Sequence, residues 1–165
     1  MADARQIGEA ALPGVMAPRA DEIPAITLWQ PWATMIAWGW KRIETRFHDR
    51  FRGLFGQRIV IHAGLRTDSR AMGEIDYYLA KPRSDRALAQ HWRGWLTGVI
   101  VCTAKVVEAR WLAEEDSPAA LIDCSEMSPA RFGLVLDSVR PVDPPVAISG
   151  HQGVWYVRRD RIEDT

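Results

Sequence analysis

Between Trp29 and Arg46 the sequence changes its period, and that change limits what the chain can build. Pro31 suits the first turn of a helix, its φ already helical and its missing N–H not needed there. Trp32, Met35 and Ile36 then recur at three- and four-residue spacing, giving one apolar face that must be buried. Gly39 is placed to end this helix as a C′ residue in the left-handed conformation. From Arg42 to His48 the period falls to two. Ile43, Thr45 and Phe47 point one way, and Arg42, Glu44, Arg46 and His48 the other. Lys41 stands at the hand-over, so a lysine, a carboxylate and an arginine are held close together where a short helix becomes a strand.

The rest of the chain reads as strands with helical cover. Ala25–Leu28 is a short strand leading into the helix, and an ordered domain is expected over residues 23–160, with tails at 1–22 and 161–165. Arg58–Ala63 is apolar almost throughout, as expected of a strand covered on both faces. The stretch 67–92 is the most helical: Thr67 or Asp68 serves as N-cap, Met72, Ile75, Tyr78 and Leu79 share a face, and Ser84 or Asp85 caps a second helix beyond Pro82. Leu96–Trp111 is a long β-branched run that bends through Gly98 or Ala104. The acidic segment Glu114–Pro118 is expected to be a solvated loop. Phe132–Val142 is the next strand, Asp143-Pro144-Pro145 an extended linker, and Val154–Arg158 the closing strand. About six strands, one short opening helix and a helical insertion at 67–92 define an α+β chain built as a small mixed β-barrel.

Composition narrows the function. The 165 residues suit a single domain able to bury a proper core. Lysine plus arginine and aspartate plus glutamate both number 21, which excludes a strongly basic coat and leaves any nucleic-acid contact to a local patch. Cys102 and Cys124 form neither a disulfide framework nor a metal spacing, and fit a reducing, cytoplasmic setting. His48, His62, His91 and His151 are scattered, so neither a metal nor a cofactor is expected. No apolar run approaches the roughly twenty residues of a membrane helix. A Gly-x-Ser-x-Gly elbow and a phosphate-binding glycine loop are both missing.

The pattern Gly39-x-Lys41-x-x-Glu44-x-Arg46, preceded by Gln30-Pro31-Trp32-Ala33, resembles the ASCH domain (activating signal cointegrator homology), a branch of the PUA-like superfamily. The resemblance extends to Arg52-Gly53, to the strand Ile59–Ala63 ending in His62-Ala63, and to Gly150-His151-Gln152-Gly153-Val154-Trp155. It spans residues 24–158 and implies a PUA-like barrel. The family is regarded as nucleic-acid binding. In this chain Ser149 stands where a lysine commonly precedes the closing glycine, which removes one positive charge from the expected cleft edge.

The resemblance implies a cleft for RNA, single-stranded nucleic acid or a modified nucleotide. Lys41 and Arg46 supply donors to a phosphate or base carbonyl, and Glu44 accepts from an exocyclic amine. Trp29 stacks a base turned out of its strand. Arg50 and Arg52 hold the backbone. His62 and Gln152 complete the set, although a lone strand-end histidine is more often satisfied by a backbone bond, and Gln152 reads equally as a turn residue. A bland reading makes Lys41, Glu44 and Arg46 an ion-pair network fastening the corner. The alternative from another class is a hydrolase in the same cleft, with Lys41 and Glu44 catalytic. One branch of the family acts as an N4-acylcytidine amidohydrolase through a K-x-x-T motif, and other members are described as ribonucleases. Here the threonine position is Glu44, and Thr45 faces the opposite way, toward the core. A protein-interaction module in a transcription or translation assembly is the third reading, and it places the weight on exposed aromatics.

Overall fold

A computed structural model describes residues 18–73 and 95–163. Six strands, β1 (Glu22–Gln30), β2 (Ile43–Arg46), β3 (Arg58–Thr67), β4 (Val99–Trp111), β5 (Phe132–Ala147) and β6 (Val154–Arg158), form one sheet in the order β2-β5-β4-β3-β1-β6. Short helices accompany it, among them α1 (Trp32–Ala37), α2 (Ser117–Ala120) and α3 (Asp160–Glu163). The β1–β3 pair is parallel and the other pairs are antiparallel. This is a mixed α+β architecture, an open six-stranded sheet with β2 and β6 at its edges. Among the described residues no helix is long and apolar enough to cross a membrane.

The continuous apolar run in β3 has the cause expected of it. Ile59, Ile61 and Ala63 join a large cluster with Ile26, Leu28, Ile36, Phe132 and Leu134. Val60 joins a second cluster with Ile23, Ala25, Trp155 and Val157. Alternation sends successive residues to opposite faces, and both faces are covered. The described end of the chain contributes to the second cluster through Ile162 of α3.

Four local features differ from the sequence reading. Helix α1 starts at Trp32, with Pro31 as its N-cap residue after a cis Gln30–Pro31 bond. Its buried side is Ala33, Thr34, Met35 and Ile36, while Trp32 is half-buried. The expected Asp143–Pro145 linker lies within β5, in the stretch where the ladder to β4 steps from Pro141↔Cys102 to Val146↔Ile100. Proline is tolerated there because no ladder N–H is needed. The acidic loop is a 3-10 turn, Glu114–Asp116, running into α2. Asp116 is buried because Arg110 grips it with two nitrogens at 2.7 and 2.9 Å and Ala113 N–H donates to it at 2.9 Å.

Other expectations hold. Gly39 has φ +77° and follows the helix, its N–H donating to Ile36 O at 2.9 Å. The expected cap after β3 is Asp68, whose Oδ1 accepts from Ala71 N–H at 3.1 Å; the remainder of the predicted insertion, 74–92, lies outside the described residues. The bend in β4 includes a register shift spanning Ala104, opposite Ser138 with φ 48°.

Truncation should separate core from surface. Ile61→Ala, at a fully buried position, is expected to lower unfolding free energy by about 2–5 kcal/mol. Met127→Ala, at a position 94% exposed, should change it by less than about 0.5 kcal/mol. Urea unfolding of both variants checks this.

Candidate functional site

The helix-to-strand corner is set by hydrogen bonds around Met35. Trp40 and Lys41 both donate their N–H groups to Met35 O at 3.0 Å, and Arg42 donates to Ala119 O at 2.8 Å. The chain then enters β2, which pairs with β5 so that Glu44 faces Leu134 and Arg46 faces Phe132. Directly paired residues share a sheet face. Glu44 and Arg46 therefore lie on the face of the main core, and Thr45, paired with Gly133, lies on the other. The expected alternation is correct, but the core side is reversed at Glu44 and Arg46, which point inward, while Arg42 is exposed. Ile43 is nevertheless buried, because its side chain is packed over Gly133 beside Leu112.

Lys41 and Glu44 are 3% and 6% exposed, low for charged groups. Lys41 Nζ donates to Ala120 O at 2.6 Å and stands 3.9 Å from Glu44 Oε2. Ala120 ends α2, and Leu121 leaves the helix with φ 54°, so the lysine meets a carbonyl at the negative end of a helix. Trp32 lies 5.5 Å from the same nitrogen. Arg46 Nε is 3.4 Å from Glu44 Oε1, close enough to pair but not aligned for a hydrogen bond, and this buried nitrogen has no hydrogen-bond partner among the described residues. The Arg46 guanidinium packs on Phe51 at 4.8 Å. Burial pushes the Lys41 ammonium below its ordinary pKa; Glu44 and the Cys124 side chain oppose that shift, while Arg46 and Arg131 add to it.

The remaining sequence candidates divide. Arg52 pairs with Asp49 at 3.5 Å and lies 5.0 Å from the Phe132 ring, on the Arg46 side of the corner. Arg50 is exposed, its backbone N–H donating to His48 Nδ1 at 3.3 Å. Trp29, 50% exposed, stacks with Arg66 at 5.7 Å instead of with the corner. Gln152 is exposed before β6. His62 is buried and bonds Ile148 O at 3.0 Å through Nε2, the backbone satisfaction expected of a strand-end histidine. It lines a cleft of about 550 Å³ with Thr27, Gly64, Arg66, Ser149 and Gly150.

Trp32 was read from sequence only as part of the apolar helix face, and Arg131 and Arg66 were not singled out. The alternation of β3 carries the signal for Arg66, since His62, Gly64 and Arg66 fall on one face. Arg131 carries no such signal, because only folding brings the end of the 121–131 loop beside Lys41.

The ASCH protein from Zymomonas mobilis matches with a TM-score of 0.52 and 14% identity, over 85% of this chain and 90% of that one. A point variant of that protein matches with a TM-score of 0.50 and 14% identity, over 86% and 94%. No protein-family model and no curated protein matches the sequence. The chain has the PUA-like fold of an ASCH domain, as Gly39, Lys41, Glu44 and Arg46 led one to expect.

His62 gives a pH test. Burial holds its pKa below the ordinary value of 6.5, the Ile148 hydrogen bond opposes that shift, and His151 adds to it. The unfolded state then takes up the proton first, so stability is full above pH 6.5 and falls as pH drops toward the folded pKa. Thermal melts from pH 7.5 to 5 should show this fall. His62→Gln, which never ionises and still donates to Ile148 O, should flatten it.

Proposed function

We propose that this ASCH-fold protein binds RNA or a modified nucleotide at the corner formed by Lys41, Glu44 and Arg46. One observation carries the reading. A carboxylate that is almost fully buried lies between two cations without a hydrogen bond from any described residue, and the arginine beside it has an idle buried nitrogen. A corner that served only as a fastener would be expected to use these groups, because unsatisfied buried polar groups cost stability. Lys41 spends one of its three donors on Ala120 O among the described residues. Cationic donors flanking a carboxylate match a nucleobase edge, with acceptors toward Lys41 and Arg46 and an exocyclic amine toward Glu44. Trp32 replaces Trp29 as the aromatic neighbour of this corner. With a formal net charge of zero, the contact is local, and affinity falls only modestly with salt.

The lowered pKa of Lys41 favours a second reading, hydrolysis in the same place. A lysine held below its ordinary pKa is more readily neutral and able to take a proton. Thr45 is on the wrong face to serve as nucleophile, so such a reaction uses water activated by Glu44.

Anisotropy measurements with short single-stranded RNA should show Arg46→Ala weakening binding about tenfold or more. Unchanged binding together with a lower melting temperature would identify the corner as a fastener. For the second reading, modified nucleosides are incubated with wild type and Lys41→Ala and followed by mass spectrometry. Conversion by wild type alone establishes an enzyme.

A further inference from the structure

Three cations meet on the sheet face that looks away from the main core. Arg58 of β3 is paired with Lys105 of β4, and Thr103, two residues before Lys105, is paired with Val60 of β3 and Arg140 of β5. Directly paired residues share a face, so Arg58, Lys105 and Arg140 lie with Val60 and Val142 of the second cluster. Like charges set directly opposite each other destabilise a sheet, and Arg58 and Lys105 are so placed. Burial and, after it, the Arg140 guanidinium lower the Arg58 pKa, so the third cation acts on the first. None of the three has an ion-pair partner among the described residues. The ladder brings the Asp137 carboxylate opposite Lys105, and its Oδ1 accepts from Ser138 N–H at 2.6 Å.

Arg58 is held in place with one edge left open. Its Nη1 donates to two neutral acceptors, Thr103 Oγ1 and Ser138 O, each at 3.1 Å. Nε and Nη2 have no partner among the described residues, and neither is buried. That edge is the planar fork that grips an oxyanion through two parallel hydrogen bonds. Ser138, which supplies the carbonyl, has φ 48°, a left-handed conformation uncommon for serine, opposite the register step between Thr103 and Lys105. The bulge thus turns a carbonyl onto Nη1 and leaves the Nε and Nη2 edge to solvent. Lys105 and Arg140 are both exposed, and their long side chains can reach a group bound at that edge.

We infer that Arg58, Lys105 and Arg140 form an anion site that takes a phosphate dianion, either free phosphate or a phosphomonoester. The Arg58 fork binds two of its oxygens, and Lys105 and Arg140 neutralise it from β4 and β5. Charge selects the ligand. Three cations and one carboxylate leave a formal charge of +2 on the patch. A phosphomonoester, at about −1.5 to −2 near neutral pH, balances that charge, whereas a phosphodiester with its single charge does not. The backbone of a nucleic-acid strand is therefore the poorer fit. The site shares no residue with the Lys41 corner and does not rest on the function proposed there.

The test is calorimetric titration of the full chain with inorganic phosphate, glycerol phosphate and dimethyl phosphate, at a mildly alkaline pH where the first two are dianions. Melting temperatures are recorded for each variant. Saturable binding of a dianion is expected at millimolar concentration or below, with dimethyl phosphate about tenfold weaker or more. Arg140→Gln, at an exposed position, should weaken the dianion about tenfold or more without lowering the melting temperature. Arg58→Lys keeps the charge but loses the fork, and should weaken it as well. Arg46→Ala, at the corner, should leave it unchanged. Binding of both dianions assigns a site for the phosphate group itself, and binding of glycerol phosphate alone assigns a monoester. Four results overturn the inference: no saturable binding of either dianion at millimolar concentration, equal binding of dimethyl phosphate, binding indifferent to Arg140→Gln, or binding lost in Arg46→Ala. The last result moves the anion to the corner and leaves the first proposal standing.

Discussion

Gln30 is the residue on which the geometry turns. Its side chain is fully buried, and each of its hydrogen-bonding atoms is used: Oε1 accepts from Thr34 N–H at 3.2 Å, and Nε2 donates to Thr34 Oγ1 at 2.8 Å and Leu96 O at 2.7 Å. Its backbone carbonyl accepts from Asp68 N–H at 2.6 Å. One residue thus joins the end of β1, the first turn of α1, the segment after β3 and the approach to β4. A buried primary amide left unpaired would be costly, so these four pieces are held in one arrangement. The direction of α1 follows from that arrangement, and with it the place where Gly39 releases the chain and Lys41 begins the corner.

The sheet separates two kinds of polar chemistry. On the main-core face, ionised groups are buried in a row, with the α2 carbonyl end, Trp32 and Phe51 around them. On the other face, a neutral imidazole sits under close-packed glycines with an arginine at the mouth. The environments differ in cause. Coulombic pairing offsets part of the desolvation of Lys41, whereas His62 has one backbone hydrogen bond and is held neutral mainly by its burial. The Arg110–Asp116 grip belongs to the first environment, since it stabilises the turn that delivers Ala120 O to the lysine.

Much of this was legible in the residues, and for identifiable reasons. Gly39 ends α1, and the period of two from Ile43 to Arg46 fixed the strand and set Thr45 apart from Glu44. Local rules failed where distant pieces compete. Asp116 looked solvated until the turn folded back on the end of β4, six residues earlier, where Arg110 took both its oxygens. Asp143-Pro144-Pro145 looked like a linker because proline breaks ladders, and the sheet absorbed it at a step in register. Trp29 was grouped with Lys41 by sequence proximity, but Arg66, at the far end of another strand, claims its ring.

By itself the sequence determined the elements, their order and the grouping of Lys41, Glu44 and Arg46, because periodicity and glycine placement act over a few residues and need no distant partner. Tertiary structure alone decided which face of β2 is inside, since alternation defines two faces without saying which is covered. It also decided that His62, Thr27 and Gly150 share a cleft. Those residues lie on β1, on β3 and in the loop before β6, and only the pairing of those strands brings them within reach of one another.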